Sequence, residues 1–162
     1  MSRWANDPER AADALIERSL DEIAPSGRIL LANQGGALPA LIAARGLDCT
    51  VWNRRLVGGH TAAPWPPAEP FDTALVRLPK TADEQEMAAH AALSVLEPGG
   101  RLILYGGNDE GIRSAARMLE DVAGAVETLA IRGHGRVLAT HRKLMPNSRM
   151  RCRHGGSYLR WR

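Results

Sequence analysis

Cysteine is scarce in this sequence: Cys49 and Cys152 are the only two among 162 residues. One lies inside a strand-like run and the other among arginines, which excludes a disulfide framework and predicts a core residue and a surface thiol. Long apolar runs are also missing. No stretch approaches the roughly 20 consecutive apolar residues that cross a bilayer, and the amino-terminal MSRWANDPERAAD is charged where a signal peptide needs an apolar segment. The expectation is a cytoplasmic chain with no membrane partner. Acidic residues stop at Glu127. Beyond it stand Arg132, Arg136, Arg142, Lys143, Arg149, Arg151, Arg153, Arg160 and Arg162, whereas twelve basic and eighteen acidic residues precede them. The net charge of +3 therefore hides an acidic body and a basic end. Such an end suits contact with phosphates, through counterion release, or serves as a solubilising tail.

What is present has the composition of one ordinary domain, with 44% hydrophobic residues and enough length to bury a core. Asp7-Pro8-Glu9 predicts a helix start, with an N-cap, proline in the first turn and an acid near the positive dipole end; Ala12, Ile16, Ser19 and Ile23 then share a face until Pro25-Ser26-Gly27. RILLA (28–32) reads as a strand buried on both faces, NQGG as a turn, ALPALIAARG as a helix closed by Gly46, and CTVW (49–52) as a second strand. Residues 54–70, rich in proline and glycine, predict a loop with at most a short strand at Leu56-Val57. TALVRL (73–78) is a third buried strand. Thr81-Ala82-Asp83-Glu84 matches a capping box for a helix carrying Ala89, Ala92, Leu93 and Leu96, and Pro98-Gly99-Gly100 ends it.

RLILY follows as a strand and GGND as a turn, then a helix faced by Ile112, Ala115, Ala116, Leu119 and Val122. AVETLAI and RVLATH, joined by Arg132-Gly133-His134-Gly135, read as an antiparallel hairpin. Helices alternating with strands require an α/β fold, Rossmann-like, with a mostly parallel sheet and helices on both faces; the terminal hairpin makes the sheet mixed. The predicted organisation is an α/β domain over 1–143 and a basic tail over 144–162.

A sheet of this kind binds ligands at the carboxyl ends of its strands, usually after the first. ANQGGA occupies that position, so Asn33, Gln34, Gly35 and Gly36, with Asn53 after the second strand, are the candidate cofactor contacts. The Gly-x-Gly-x-x-Gly spacing of dinucleotide sites is missing, no acid ends either strand, and a tight turn explains Gly35-Gly36 as well. Asp72 and Asp109 fall at loop positions near this crevice, Asp109 equally as a turn or cap residue. His134, His141, Cys152 and His154 match no common zinc spacing, so no metal site is expected. No serine, histidine and acid arrangement suggests nucleophilic catalysis. Trp4, Trp52 and Trp65 are expected to be packing residues.

The stretch EPGGRLILYG after a helix, Leu78-Pro79-Lys80, EQEMAAH, GGNDEGIRSAARML and GHGRVLATHRK together resemble class I S-adenosylmethionine-dependent methyltransferases, and more closely the amino-terminal half of the two-domain ribosomal RNA small-subunit guanine-N2 methyltransferases. The likeness covers most of residues 70–143, and Gly111-Ile112-Arg113-Ser114 is its most specific part. It implies a methyltransferase-like sandwich whose catalytic site has been lost, one that supports a catalytic half and helps to hold ribosomal RNA. Catalytic halves of that family end their fourth strand in Asn-Pro-Pro and an aromatic, because methylating an exocyclic amine needs hydrogen-bond acceptors and a ring to stack on the base. In Leu78-Pro79-Lys80-Thr81, Leu78 cannot accept a hydrogen bond and Thr81 offers no ring, so no catalytic residue is expected.

Three readings follow. The chain is a non-catalytic structural or RNA-binding module, with Arg142, Lys143, Arg149, Arg151, Arg153, Tyr158, Arg160 and Trp161 contacting phosphates and stacking on bases, and with a separate catalytic methyltransferase subunit as partner. Alternatively it is an active, divergent RNA methyltransferase using S-adenosylmethionine, or a Rossmann-like binder of another nucleotide.

Overall fold

The computed structural model describes residues 7–56 and 61–144. Asp7 caps the first helix, α1 (Pro8–Arg18), its side chain accepting from the Arg10 N–H at 3.0 Å. At Ser19 the hydroxyl donates back to the Leu15 carbonyl and the helix breaks, to resume as the single turn α2 (Leu20–Ile23). The expected face survives this break: Ala12, Ile16, Ser19 and Ile23 are all fully buried. Next come β1 (Ile29–Ala32), α3 (Leu38–Ala44), β2 (Cys49–Trp52) and β3 (Phe71–Arg77). Thr81 accepts from the Glu84 N–H and starts α4 (Ala82–Val95). β4 (Leu96–Gly107), a 3-10 turn (Asn108–Glu110), α5 (Ile112–Ala123), β5 (Glu127–Arg132) and β6 (Gly135–His141) complete the order.

The strands form one sheet in the order β2-β1-β3-β4-β6-β5. The first four are parallel, and β6 pairs antiparallel with both β4 and β5. Because side chains alternate across a strand, each one feeds two cores. Leu30, Ala74, Val76, Leu102, Leu104 and Leu138 pack under α4 and α5; Ile29, Leu31, Leu75, Ile103, Tyr105 and Val137 pack under α1, α2 and α3. Burial on both faces explains why these strands read as continuous apolar runs.

Four local expectations are corrected. β4 begins at Leu96, before Pro98-Gly99-Gly100, because Leu96 pairs with Phe71 and the backbone of Arg142 bonds to Gly99 and Gly100. Leu56 is exposed and outside any strand, Val57 lying outside the described residues; the extra pairing in this loop is instead a bridge between Asn53 and Ala62. Trp65 is 69% exposed, whereas Trp52 packs as expected with its indole N–H on the Ala63 carbonyl; Trp4 lies outside the described residues. Asp72 belongs to β3 near its amino end and accepts from the Arg28 N–H at 2.7 Å, so it is on the edge of the sheet opposite the crevice.

Candidate functional site

The parallel strands end together at Ala32, Trp52, Arg77 and Gly107, and this edge holds the candidate residues. Asn33 turns the chain out of β1 in the left-handed region, φ 59°, which asparagine tolerates better than most residues. Its Nδ2 donates to the Arg77 carbonyl at 3.1 Å, which ties the end of β1 to the end of β3. Gln34 and Asn53 are brought together and spend their polar atoms on one another. The Gln34 N–H donates to Asn53 Oδ1 at 2.7 Å, and Asn53 Nδ2 donates to the Gln34 carbonyl at 2.8 Å. Asn53 is 1% exposed, so the amide expected as a cofactor contact faces the protein interior. The Gln34 side chain, also buried, donates to the Ala32 carbonyl and to the hydroxyl of Tyr105.

Gly35 is exposed and Gly36 half-buried. A β-carbon on Gly36 would fall 2.1 Å from Oδ2 of Asp13 on α1, so the close approach that a glycine permits is taken here by the chain's own carboxylate. Asp13 is pushed above the usual carboxylate range, chiefly by burial and further by Glu9, Asp7 and Glu17, while Arg77 pulls it down. Burial likewise drives the Tyr105 hydroxyl up, against the Gln34 hydrogen bond and the Arg77 charge.

At the end of β3, Arg77 is nine-tenths buried and forms an ion pair with Glu110, whose other oxygen accepts from the Gly107 N–H at 2.7 Å. Leu78 is 3% exposed, with its N–H on the Tyr105 carbonyl at 2.9 Å and its side chain against Gly106. Pro79 is buried, its carbonyl accepting from Gln85 Nε2 at 2.9 Å. Leu78-Pro79-Lys80 is therefore a packed strand exit leading to the Thr81 cap.

Among the described residues every buried side-chain nitrogen or oxygen has a hydrogen-bond partner. At this edge the buried side chains of Gln34, Asn53 and Tyr105 are therefore bonded within the protein, and the approach to Gly36 is taken by Asp13. Asp109 lies exposed in the 3-10 turn, as a turn residue. No group of three or more histidine, cysteine or acidic residues that could hold a metal ion occurs among the described residues. No helix there is long and apolar enough to cross a membrane. Of the proposed RNA contacts, Arg142 directs its guanidinium to the carbonyls of Leu96 and Ser94 at the end of α4, and Lys143 is exposed beside Gly124. Arg149, Arg151, Arg153, Tyr158, Arg160 and Trp161 lie outside the described residues.

Sequence reasoning missed Asp13, Arg77, Tyr105 and Glu110. One signal for them existed: arginine inside the buried run TALVRL needs a counter-charge nearby. Nothing local points to Glu110 as that partner.

The architecture around this edge has many counterparts. The 16S rRNA guanine-N2 methyltransferase RsmC of T. thermophilus, solved with AdoMet and guanosine, superposes with a TM-score of 0.64 at 22% identity over 83% of this chain and 39% of that one. This chain therefore spans about two fifths of that relative's length. A methyltransferase from Pyrococcus furiosus matches with TM-score 0.59 at 15% identity, over 81% of this chain and 83% of its own. A TehB-like SAM-dependent methyltransferase from Corynebacterium glutamicum matches with TM-score 0.60 at 17% identity, over 83% and 94%. At such identities the likeness is one of fold, and the fold is that of class I methyltransferases. No curated protein is detectably similar in sequence. Residues 14–131, well over half of the chain, match the family model for the methyltransferase small domain N-terminal region, and the chain belongs to that family.

Proposed function

We propose that this domain transfers no methyl group itself and serves as a structural and RNA-contacting module beside a separate catalytic methyltransferase chain. The observation that carries this reading is the self-satisfied edge of the sheet. Gln34 bonds to Asn53 and Tyr105, Arg77 pairs separately with Glu110, and Asp13 fills the approach to Gly36. A methyl donor would have to break several of these buried bonds, each leaving a polar group to be re-satisfied at about 1–3 kcal/mol. A second requirement fails at β3: amine methylation needs an acceptor where buried Leu78 stands. RsmC, with the same fold, supports ribosomal RNA as the partner class, and the basic end of the chain suits phosphate contact.

Calorimetric titration of the purified chain with S-adenosylhomocysteine tests the first half of the reading. No heat of binding is expected, and micromolar affinity would overturn it in favour of an active, divergent enzyme. For the second half, affinity for ribosomal RNA is expected to fall steeply with salt. Removing residues 145–162 should lower the salt slope by up to about 0.9 for each phosphate that the segment neutralises. RNA affinity that neither salt nor truncation changes would sink the RNA-contacting role.

A further inference from the structure

Between α1 and the turn that joins β5 to β6 lies a cleft of about 240 Å3. Ala11, Ala14 and Leu15 give it an apolar side, Arg18 stands on the helix wall, and Arg132, Gly133 and His134 make the hairpin wall. That second wall is held in place. Arg132 donates from Nε to the Ser19 hydroxyl at 3.3 Å and pairs with Glu22, so its guanidinium is fixed beside the cleft. The His134 carbonyl accepts from the Asn108 N–H at 2.6 Å, which ties the turn to the end of β4. Gly133 starts the turn at φ 59°, in the left-handed region, and no described atom lies within 4 Å of where a side chain would begin, so the backbone there is open to close approach.

We propose that this cleft holds a backbone phosphate of RNA; the inference rests on the RNA-contacting reading above and places a contact on helix and hairpin rather than on the basic end of the chain. Charge is the first reason. Arginines stand on both walls, no carboxylate among the described residues lines the cleft, and the hairpin contributes no acid after Glu127. Glu22 offsets part of the Arg132 charge, and Arg18 adds its own. Donor geometry is the second. A guanidinium presents its N–H donors in a planar fork that matches phosphate oxygens. Because Ser19 and Glu22 already hold the Arg132 fork, less side-chain freedom is lost when it takes an anion. The exposed turn backbone and the His134 imidazole, which carries an N–H donor in either protonation state, are further groups of the kinds that contact phosphates. Size is the third: about 240 Å3 is several times the roughly 30 Å3 share of a water molecule, room for a phosphate with its ribose beside Ala11 and Ala14.

The test uses the full-length chain and oligouridine, an unpaired strand with accessible phosphates, followed by NMR shifts and by fluorescence anisotropy of the labelled oligonucleotide. Backbone signals of Ala14, Arg18, Gly133 and His134 should move on titration while those of α4 stay. Arg18→Gln and Arg132→Gln should each lower the affinity about fivefold at about 0.1 M salt and flatten the salt slope by about 0.7, the share of one phosphate on a single strand. Arg18 is exposed on α1, so its variant reads the phosphate contact without disturbing the Ser19 anchor of Arg132. Arg28→Gln, at the opposite edge of the sheet, is the control and should change little. An equal loss in all three would mean diffuse attraction and overturn the cleft. RNA binding unchanged in Arg18→Gln and Arg132→Gln would also overturn it while leaving the RNA-contacting reading standing, whereas a parent chain that binds no RNA removes both. Inorganic phosphate should move the same signals far more weakly than oligouridine. Equal affinity would assign the cleft to a free anion, and displacement of oligouridine by polyglutamate would assign it to an acidic protein surface; either result overturns the proposal.

Discussion

The Asp13 carboxylate stands against Gly36 across the crevice: a β-carbon at residue 36 would sit 2.1 Å from the Asp13 Oδ2 atom. The contact joins α1 to the turn after β1, and it turns a feature that often admits ligands into an internal packing contact.

Gly36→Ala should therefore displace the Asp13 side chain and lower stability by about 1 kcal/mol, in the range of overpacking. The same substitution in an Asp13→Ala background should cost much less. Urea denaturation of the four proteins of this cycle measures the coupling, and additivity of the two changes would show that the contact carries no energy.

Asp13 also predicts a pH dependence. Its carboxyl is raised above 3.8 in the folded chain, so the folded state holds the proton more tightly than the unfolded one. Its contribution is most favourable below about 3.8 and declines as pH rises through the folded value. Asp13→Asn should thus gain stability relative to the parent on going from pH 3.5 to pH 7. Denaturant midpoints at the two pH values check the sign, and a gain in the opposite direction would refute it.

Arg77 and Glu110 form a pair in which both side chains are largely buried. Removing one charge, as in Arg77→Met, strands the other and should cost about 3–5 kcal/mol. The double variant Arg77→Met/Glu110→Gln should recover a substantial part of that loss. Chemical unfolding of the three proteins is sufficient, and a double variant as unstable as the single one would mean that Arg77 acts through its hydrogen bonds to the Leu78 and Pro8 carbonyls alone.

Leu78→Asn places a hydrogen-bond acceptor at the end of β3, where methylation of an exocyclic amine would need one. With Leu78 packed on Gly106, the change should cost about 2–4 kcal/mol through reduced apolar burial and an amide without a partner. Transfer of radioactive methyl groups to RNA should stay at background. Activity appearing in this variant would mean that the cofactor crevice is usable after all.

Much of the fold is legible along the chain because its causes are local. Asp7 and Thr81 cap helices by accepting from N–H groups three residues on, and strands buried on both faces write themselves as RILLA, TALVRL and RLILY. The hairpin from Glu127 to His141 is visible for the same reason. The site is less legible. Asn33, Gln34, Gly35, Gly36 and Asn53 stand at strand ends in the sequence pattern, and the structure places them there, but their partners are hidden. Gln34 bonds Tyr105 across 71 positions, and Arg77 meets Glu110 across 33.

What the sequence alone determined is the alternation of elements, the capped helix starts, the two-faced burial of the central strands and the charge asymmetry, since these rest on periodicity, capping and composition. What only the tertiary structure decided is which polar side chains meet at the carboxyl edge, that Asp72 stands at the opposite edge, and that Trp65 faces solvent over α4. Those outcomes depend on strand order and direction, which bring distant residues within a few ångströms, and no local pattern encodes a hydrogen bond between residues so far apart in the chain.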